Sequence, residues 1–355
     1  MNKTSSNEIW LIVDSRQFGG IETHVLQLAQ GLIAHQQVVK VWLVSRYSSP
    51  SPICTKLKTL GIDYDFLGGD DAPASHLSAL SNLIHLVKQQ RPLLIHAHGY
   101  RASILSKIAK LLTRSPQIST YHAGENPSGR VKLYDWLDRI SAFVSNQSLV
   151  VSHAIADKIP THSHYLNNFI DCQSISFQHG QSIAFVGRLS SEKAPDRFCR
   201  LAANFPSLHF DIYGTGPLKQ QIDTIAGKNV HCHGHQSEMD TVWPTISVLV
   251  ICSEFEGLPM VALEAMARGI VIIASRVGEL PNLIINGENG WLAHDEGVFS
   301  EHLQQWQSLS DEGQLAMRVN ATNTIHRHYS QQAVIPKLLK IYHGVSTQFD
   351  SQIAN

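Results

Sequence analysis

Short apolar runs and amphipathic stretches alternate along the chain, and this alternation constrains the fold more than any other feature. In the first half the runs are EIWLIV, VVKVWLV, LLIHAH, ISTYH and SLVVS, with helical patterns such as IETHVLQLAQGLIAH and HLSALSNLIHLVKQQ between them. In the second half they are SIAFVG, LHFDIYG, NVHCHG, SVLVICS and IVIIAS. Strands that take turns with helices run parallel, with helices on both faces of the sheet. The 355 residues suffice for two domains of ordinary size, and two sheets fit this many strands better than one. The polar segment SHYLNNFIDCQSISFQHGQS lacks a helical period and precedes a fresh strand, which puts the boundary near Ile170 to Gly180. The expected parts are therefore 1–170, 181–330 and a last helical stretch, 331–355, that is a candidate to cross back onto the first domain. Ligands of doubly wound sheets bind at the carboxyl ends of the strands, so two such domains facing a cleft would present their chemistry in the loops after each strand.

Composition narrows the function. Hydrophobic residues make up 43% of the chain and charged residues 16%, as in a soluble globular protein, and a net charge of −1 gives no footprint for nucleic acid. The total hides an asymmetry. Met1 to Tyr165 holds 16 basic and 11 acidic residues, the remainder 12 and 18, so the halves are expected to meet different partners. The five cysteines have no metal or redox spacing and read as reduced thiols. The apolar run IWLIV is too short for a signal segment, and no stretch approaches a membrane span. The expected location is cytoplasmic, with room for contact at the inner face of the membrane.

Four loops carry candidate chemistry. In FGGIETH, Gly19 and Gly20 follow the first strand and open a helix, where backbone N–H groups and the helix dipole favour a phosphate or sugar; an ordinary strand-to-helix turn has the same pattern. In GRLSSEK, Arg188 and Lys193 offer two cations to a diphosphate, or to solvent. In YGTGP, Gly214 and Gly216 break a strand before a helix begun by Pro217, which is common punctuation as well as a binding turn. The stretch SEFEGLPMVALEAMARG is the most specific. Its segment Gly257, Leu258, Pro259, Met260 and Val261 begins a helix whose first N–H groups lack partners. Glu256 stands at the mouth of that helix and Glu264 about two turns inside, among Ala262, Leu263, Ala265 and Met266. A carboxylate among apolar neighbours needs a partner, and vicinal ribose hydroxyls would supply one.

The pattern E-F-E-G-L-P-x-x-x-L-E-A-M-A-x-G, with G-R-L-x-x-E-K and Y-G-x-G-P upstream, resembles glycosyltransferase family 4, whose members are retaining GT-B enzymes that use nucleotide sugars. The resemblance implies an α/β, GT-B architecture of two doubly wound Rossmann-like domains facing an interdomain cleft. It implies that Glu256 contacts the donor sugar, Glu264 the ribose, and Arg188 and Lys193 the phosphates, with Gly20 near the diphosphate and Gly214 on the donor side. His122, in STYHAGE, matches a histidine placed at the donor sugar, and with Glu256, Arg188 and Lys193 it completes the expected catalytic set. His233, Gly234 and His235 fall beside the nucleotide base; His98 and Glu22 fall on the acceptor side. The implied co-substrate is a nucleoside diphosphate sugar, UDP-sugars first, with no other cofactor and no metal. The implied acceptor is a glycan or glycolipid such as lipopolysaccharide core. A GT-B epimerase or phosphorylase, or a noncatalytic sugar-nucleotide-binding subunit, would share the fold. The chain departs from the family pattern at Ala194, Glu279 and Asn282.

Two other features stand out. There are 20 histidines, and His231, His233 and His235 alternate as they would on one strand face, where a metal is an alternative to the base. In YRASILSKIAKLLTRSP, the cations Arg101, Lys107, Lys110 and Arg114 add charge to a helix with an apolar side. Region 101–114 reads either as an ordinary packed helix or as a basic face for anionic lipid.

Overall fold

The protein is described by a computed structural model covering residues 6–16, 18–47, 51–68, 76–122, 129–173 and 175–354. It divides into two compact units, one of Met1–Phe169 with Gln331–Asn355 and the other of Ile170–Ser330. Both are doubly wound α/β units.

Unit 1 holds seven parallel strands: β1 (Glu8–Val13), β2 (Val38–Leu43), β3 (Tyr64–Phe66), β4 (Leu94–His98), β5 (Gln117–Tyr121), β6 (Gln147–Val150) and β7 (Ser163–Tyr165), in the order β3-β2-β1-β4-β5-β6-β7. The order reverses between β1 and β4, which makes their carboxyl ends the switch point. Helix α1 (Gly20–Ala34) follows β1, and α2 (Pro52–Thr59), α3 (His76–Gln90), α4 (Tyr100–Thr113), α5 (Gly129–Ile140) and α6 (His153–Ala156) complete the layers up to the boundary. β1 and β4 are buried along almost their whole length, which is why they read as continuous apolar runs rather than alternating ones.

Unit 2 holds β8 (Ser182–Val186), β9 (Phe210–Tyr213), β10 (Val230–Gly234), β11 (Ile246–Ile251), β12 (Val271–Ser275) and β13 (Gly290–Ala293), parallel in the order β10-β9-β8-β11-β12-β13. Its switch point lies between β8 and β11. The helices are α7 (Pro195–Ala203), α8 (Lys219–Ile225), α9 (Met260–Ala267), α10 (Leu280–Leu283), α11 (Glu296–Ser308) and α12 (Asp311–His328). The last helix, α13 (Gln331–Ala354), belongs to unit 1 and packs on α1. Val334, Ile335, Leu338, Tyr342 and Val345 of α13 are buried in the same core as Leu11, Leu28 and Leu32. Gly31 makes that approach possible, because a Cβ there would lie 2.8 Å from Ile335 Cδ1. Among the described residues, no helix is long and apolar enough to cross a membrane.

Candidate functional site

The switch point of unit 2 brings together two loops that are distant in sequence. The loop after β8 ends in a 3-10 turn, Ser191–Lys193, and the loop after β11 runs into α9. The backbone N–H of Glu254 donates to Glu192 O at 2.8 Å and ties the two loops. Across this seam Lys193 Nζ meets Glu256 Oε1 at 2.6 Å, and Ser253 Oγ donates to the same oxygen at 2.6 Å. The Glu256 side chain is only 8% exposed and that of Lys193 27%, so the pair is partly desolvated and stronger than a surface pair. Arg188 is exposed, and its side chain forms no hydrogen bond or ion pair among the described residues.

Helix α9 starts beside this pair. Its first residue, Met260, follows Pro259, and no side chain caps the helix. The first N–H groups therefore remain available to an anion. The helix is buried nearly all round; Val261, Glu264 and Arg268 form its one half-buried stripe. Spacings of three and four place them on one face. The Arg268 guanidinium donates to the Glu264 carbonyl and to Asp240.

Glycines set the close approaches. Gly214 has φ +148, and a Cβ on it would lie 1.8 Å from Gly187 O; one on Gly216 would lie 2.4 Å from Leu189 O. Both glycines thus have a steric role that holds the loops after β8 and β9 together, which the YGTGP pattern left open. Gly278, at φ +56, presses on the loop of Glu256 in the same way: its Cβ would meet Glu256 O and Gly257 O at 2.4 Å. The N–H of Glu279 donates to Gly257 O at 2.9 Å, and Asn282 Nδ2 donates to the buried Glu279 carboxylate. Two of the three positions that depart from the family pattern, Glu279 and Asn282, therefore buttress the Glu256 loop.

On the edge strand β10, His233 Nε2 donates to Asp211 Oδ1 at 2.7 Å, and the ring stacks on Tyr213 at 4.6 Å. His231 stacks instead near His209, and His235 follows the strand's end beyond Gly234, which has φ +72. The three alternating histidines do not converge as a metal site among the described residues. A depression of about 520 Å³ lies near the amino ends of β8, β9, β10 and β11, lined in part by Ser182, His209, Thr245 and Trp306. Asp211 and His231 also line it, whereas Arg188, Lys193, Glu256 and Glu264 do not.

In unit 1, Gly20 is the first residue of α1 and has open space around its Cα. Glu22 is buried and accepts from Gly19 N–H at 3.0 Å, the one half of a capping box that a glycine N-cap allows. Burial pushes its carboxyl above the usual range. His98, at the end of β4, is fully buried, and its Nδ1 lies 3.0 Å from Nε2 of half-buried His122. His24 completes this group, with its ring 4.7 Å from His122. The motif reading missed His24, because a lone histidine inside IETHVLQ carries no spacing signal.

Helix α4 corrects the basic-face reading of 101–114. Arg101 turns inward to Asp14 at 3.1 Å, and Tyr47 OH donates to the same carboxylate. Lys107 is buried, with its Nζ 2.6 Å from Asp138 Oδ1 and 3.0 Å from Tyr121 OH. Burial lowers its pKa, and that of half-buried Lys110 to about 8. Only Arg114 of the four cations is exposed. Leu111 and Leu112, part of the apolar content of this helix, are 66% and 59% exposed.

Comparison with known proteins agrees with this arrangement. The family described as Glycosyltransferase Family 4 matches residues 18–173, and that described as Glycosyl transferases group 1 matches residues 180–308. The chain is 24% identical to alpha-maltose-1-phosphate synthase of Mycolicibacterium smegmatis, over 64% of this chain and 70% of that protein. It is 22% identical to phosphatidyl-myo-inositol mannosyltransferase of the same organism, over 92% and 91%. The crystal structure of Anabaena Alr3699/HepE in complex with UDP-glucose superposes with a TM-score of 0.76 at 15% identity, covering 98% of this chain and 99% of that one.

Proposed function

The chain belongs to glycosyltransferase family 4 and carries the GT-B fold, and from that premise we propose that it moves a sugar from a nucleoside diphosphate sugar to an acceptor hydroxyl with retention of configuration. The observation that carries this reading is the Lys193–Glu256 pair at the switch point of unit 2, beside the uncapped start of α9 and open Arg188. Arg188, Lys193 and the N–H groups of α9 hold the diphosphate. They stabilise its growing charge as the bond from the anomeric carbon to the phosphate oxygen breaks. Glu256 accepts from a sugar hydroxyl, and Glu264 from the ribose. No carboxylate is assigned as a covalent nucleophile. The acceptor oxygen attacks on the face the diphosphate leaves, and the acceptor's proton passes to a leaving phosphate oxygen. We keep the assignments that the resemblance gives to His122 at the sugar, to Gly20 and Gly214 at the donor, to His233, Gly234 and His235 at the base, and to His98 and Glu22 on the acceptor side. Two cations and a helix start neutralise the diphosphate, so the reading requires no metal or further cofactor.

UDP-sugars come first among donors, supported by the neighbour crystallised with UDP-glucose. A relative named for a phosphatidyl-myo-inositol acceptor supports a glycan or glycolipid, with bacterial surface glycans such as lipopolysaccharide core as the intended class. Thermal-shift screening against UDP-, GDP- and ADP-sugars tests the donor. Saturation at about 100 times Kd adds about 2.7 kcal/mol to the stability of the binding state. Absence of any shift with all three overturns the reading.

A cytoplasmic protein acting on a lipid-linked acceptor needs a membrane-facing surface, and unit 1 supports one. Helices α4 and α5 pack together and leave Leu111, Leu112, Val131, Leu133 and Trp136 exposed, Phe143 is exposed in the turn after α5, and Arg114 and Lys132 are exposed cations of the same region. Apolar anchors with flanking cations suit an anionic interface. Co-sedimentation with phosphatidylglycerol vesicles is expected to fall about tenfold or more for Trp136→Glu/Leu133→Glu, each such burial being worth roughly 1.5–3 kcal/mol. Undiminished binding refutes the surface.

A further inference from the structure

We propose that His24, His98 and His122 form a binding site for a transition-metal dication of the Zn(II) class. The three side chains come from α1, the end of β4 and the residue after β5. One ring nitrogen from each lies within 4.8 Å of the other two. The closest pair, His98 Nδ1 and His122 Nε2, is 3.0 Å apart. Two nitrogens on one tetrahedral zinc, with Zn–N bonds of about 2.0–2.1 Å, stand roughly 3.3 Å apart. The cluster is therefore close to chelating distance, and small ring rotations complete it.

The hydrogen-bond inventory points the same way. Buried ring nitrogens normally have partners, because an unpaired one loses its solvation without return. His24 Nδ1 is buried, with no hydrogen-bond partner. Nearby His96 marks the contrast. Its Nδ1 lies 2.6 Å from Tyr342 OH and its Nε2 2.6 Å from Thr120 Oγ1, so it is a satisfied core histidine and stands outside the site.

The donor set selects the ion. Three imidazoles without a carboxylate disfavour Mg(II) and Ca(II) and suit Zn(II), Co(II), Ni(II) or Cu(II). His122 is the half-buried member, so it is the ligand open to solvent. A metal bound there takes the lone pair of the histidine assigned above to the donor sugar, which makes the site inhibitory. That last clause rests on the proposed transfer reaction; the binding does not.

Co(II) is the probe for the full-length metal-free protein, since tetrahedral cobalt gives visible ligand-field bands. One equivalent of Co(II) is expected to produce these bands and one equivalent of Zn(II) to abolish them, with no competition from Mg(II). His122→Gln and His24→Gln are each expected to weaken Zn(II) binding about tenfold or more, while the surface variant His162→Gln/His164→Gln leaves it unchanged. If His24→Gln fails to fold by circular dichroism, half-buried His122→Gln decides. No ligand-field bands, or binding unaffected by His122→Gln, or binding lost with His162→Gln/His164→Gln, overturns the site, whatever the transferase assay shows.

Discussion

Both bonds to the Glu256 carboxylate fall on Oε1, which leaves the lone pairs of Oε2 for a sugar hydroxyl. Glu256→Gln keeps the shape and removes the charge. Hydrogen bonds to charged groups contribute about 1.5–3 kcal/mol, so kcat/KM is expected to fall roughly 10- to 150-fold. Ser253→Ala removes one donor to the same charged carboxylate, worth up to about 1.5–3 kcal/mol, and is expected to lower kcat/KM in the same direction by no more than Glu256→Gln. Steady-state kinetics with a nucleotide sugar decides; a Glu256→Gln rate within threefold of the parent removes Glu256 from the site. Gly214→Ala tests the packing beneath, since its methyl carbon would sit 1.8 Å from Gly187 O. The backbone must shift, at a cost of order 1–3 kcal/mol, read as a lowered denaturation midpoint. Glu256, Lys193 and the glycines stood out in the sequence because they fall together in motifs after strands that resemble one family's pattern. Ser253 did not, because serines are everywhere and only the fold shows which one reaches Oε1. Gly278 was also hidden, its role depending on a φ of +56 and on a loop about twenty residues upstream.

At the scale of elements, strands buried on both faces were plain in the sequence, because both-sided burial leaves continuous apolar runs. β3, β7 and β13 were not, since YDF and SHY span three residues each and GWLA four. Pairing with a neighbour, rather than composition, makes them strands. Helix α4 misled for another reason: periodicity cannot tell an exposed lysine from one that turns inward to a partner 31 residues away. The Lys107–Asp138 pair is 3% and 5% exposed, so breaking it leaves a buried charge. Lys107→Ala is expected to cost about 3–5 kcal/mol, whereas Lys107→Met/Asp138→Leu is expected near neutral; urea denaturation of both variants separates the cases. The histidines joining α1 to β4 predict an acid transition. His24 and His96 have folded pKa values of about 4 and about 3 against 6.5 unfolded. The unfolded chain therefore binds their protons first as pH falls. Their contribution is complete above pH 6.5 and drains below it, at up to about 1.4 kcal/mol per pH unit for each histidine. Unfolding free energies between pH 7 and 4.5 should fall less steeply in His24→Gln than in the parent; parallel slopes contradict the assigned burial.

For the whole molecule, connectivity decides what each unit needs. Unit 2 is one continuous segment, Ile170–Ser330, and its two ends meet: Ile170 N–H donates to Tyr329 O at 3.0 Å, and Ile170 bridges Ser330. Unit 1 is discontinuous and is finished by the last 25 residues, Gln331–Asn355. Five apolar or aromatic side chains of α13, Val334, Ile335, Leu338, Tyr342 and Val345, lie in its core. At about 1.5–3 kcal/mol for each buried side chain, their removal forfeits roughly 8–15 kcal/mol, which is as large as the whole net stability of an ordinary domain, about 5–15 kcal/mol. The loss also leaves His96 without its Tyr342 partner. A chain ending at Ser330 is therefore expected to lose the cooperative unfolding of unit 1 while unit 2 still melts as a unit. Calorimetry with and without a UDP-sugar separates the two. The surviving transition should rise with ligand if the donor is held by Arg188, Lys193 and α9. A truncated chain whose unit 1 still melts within a few degrees of the parent would show that α13 covers the core without being needed to form it.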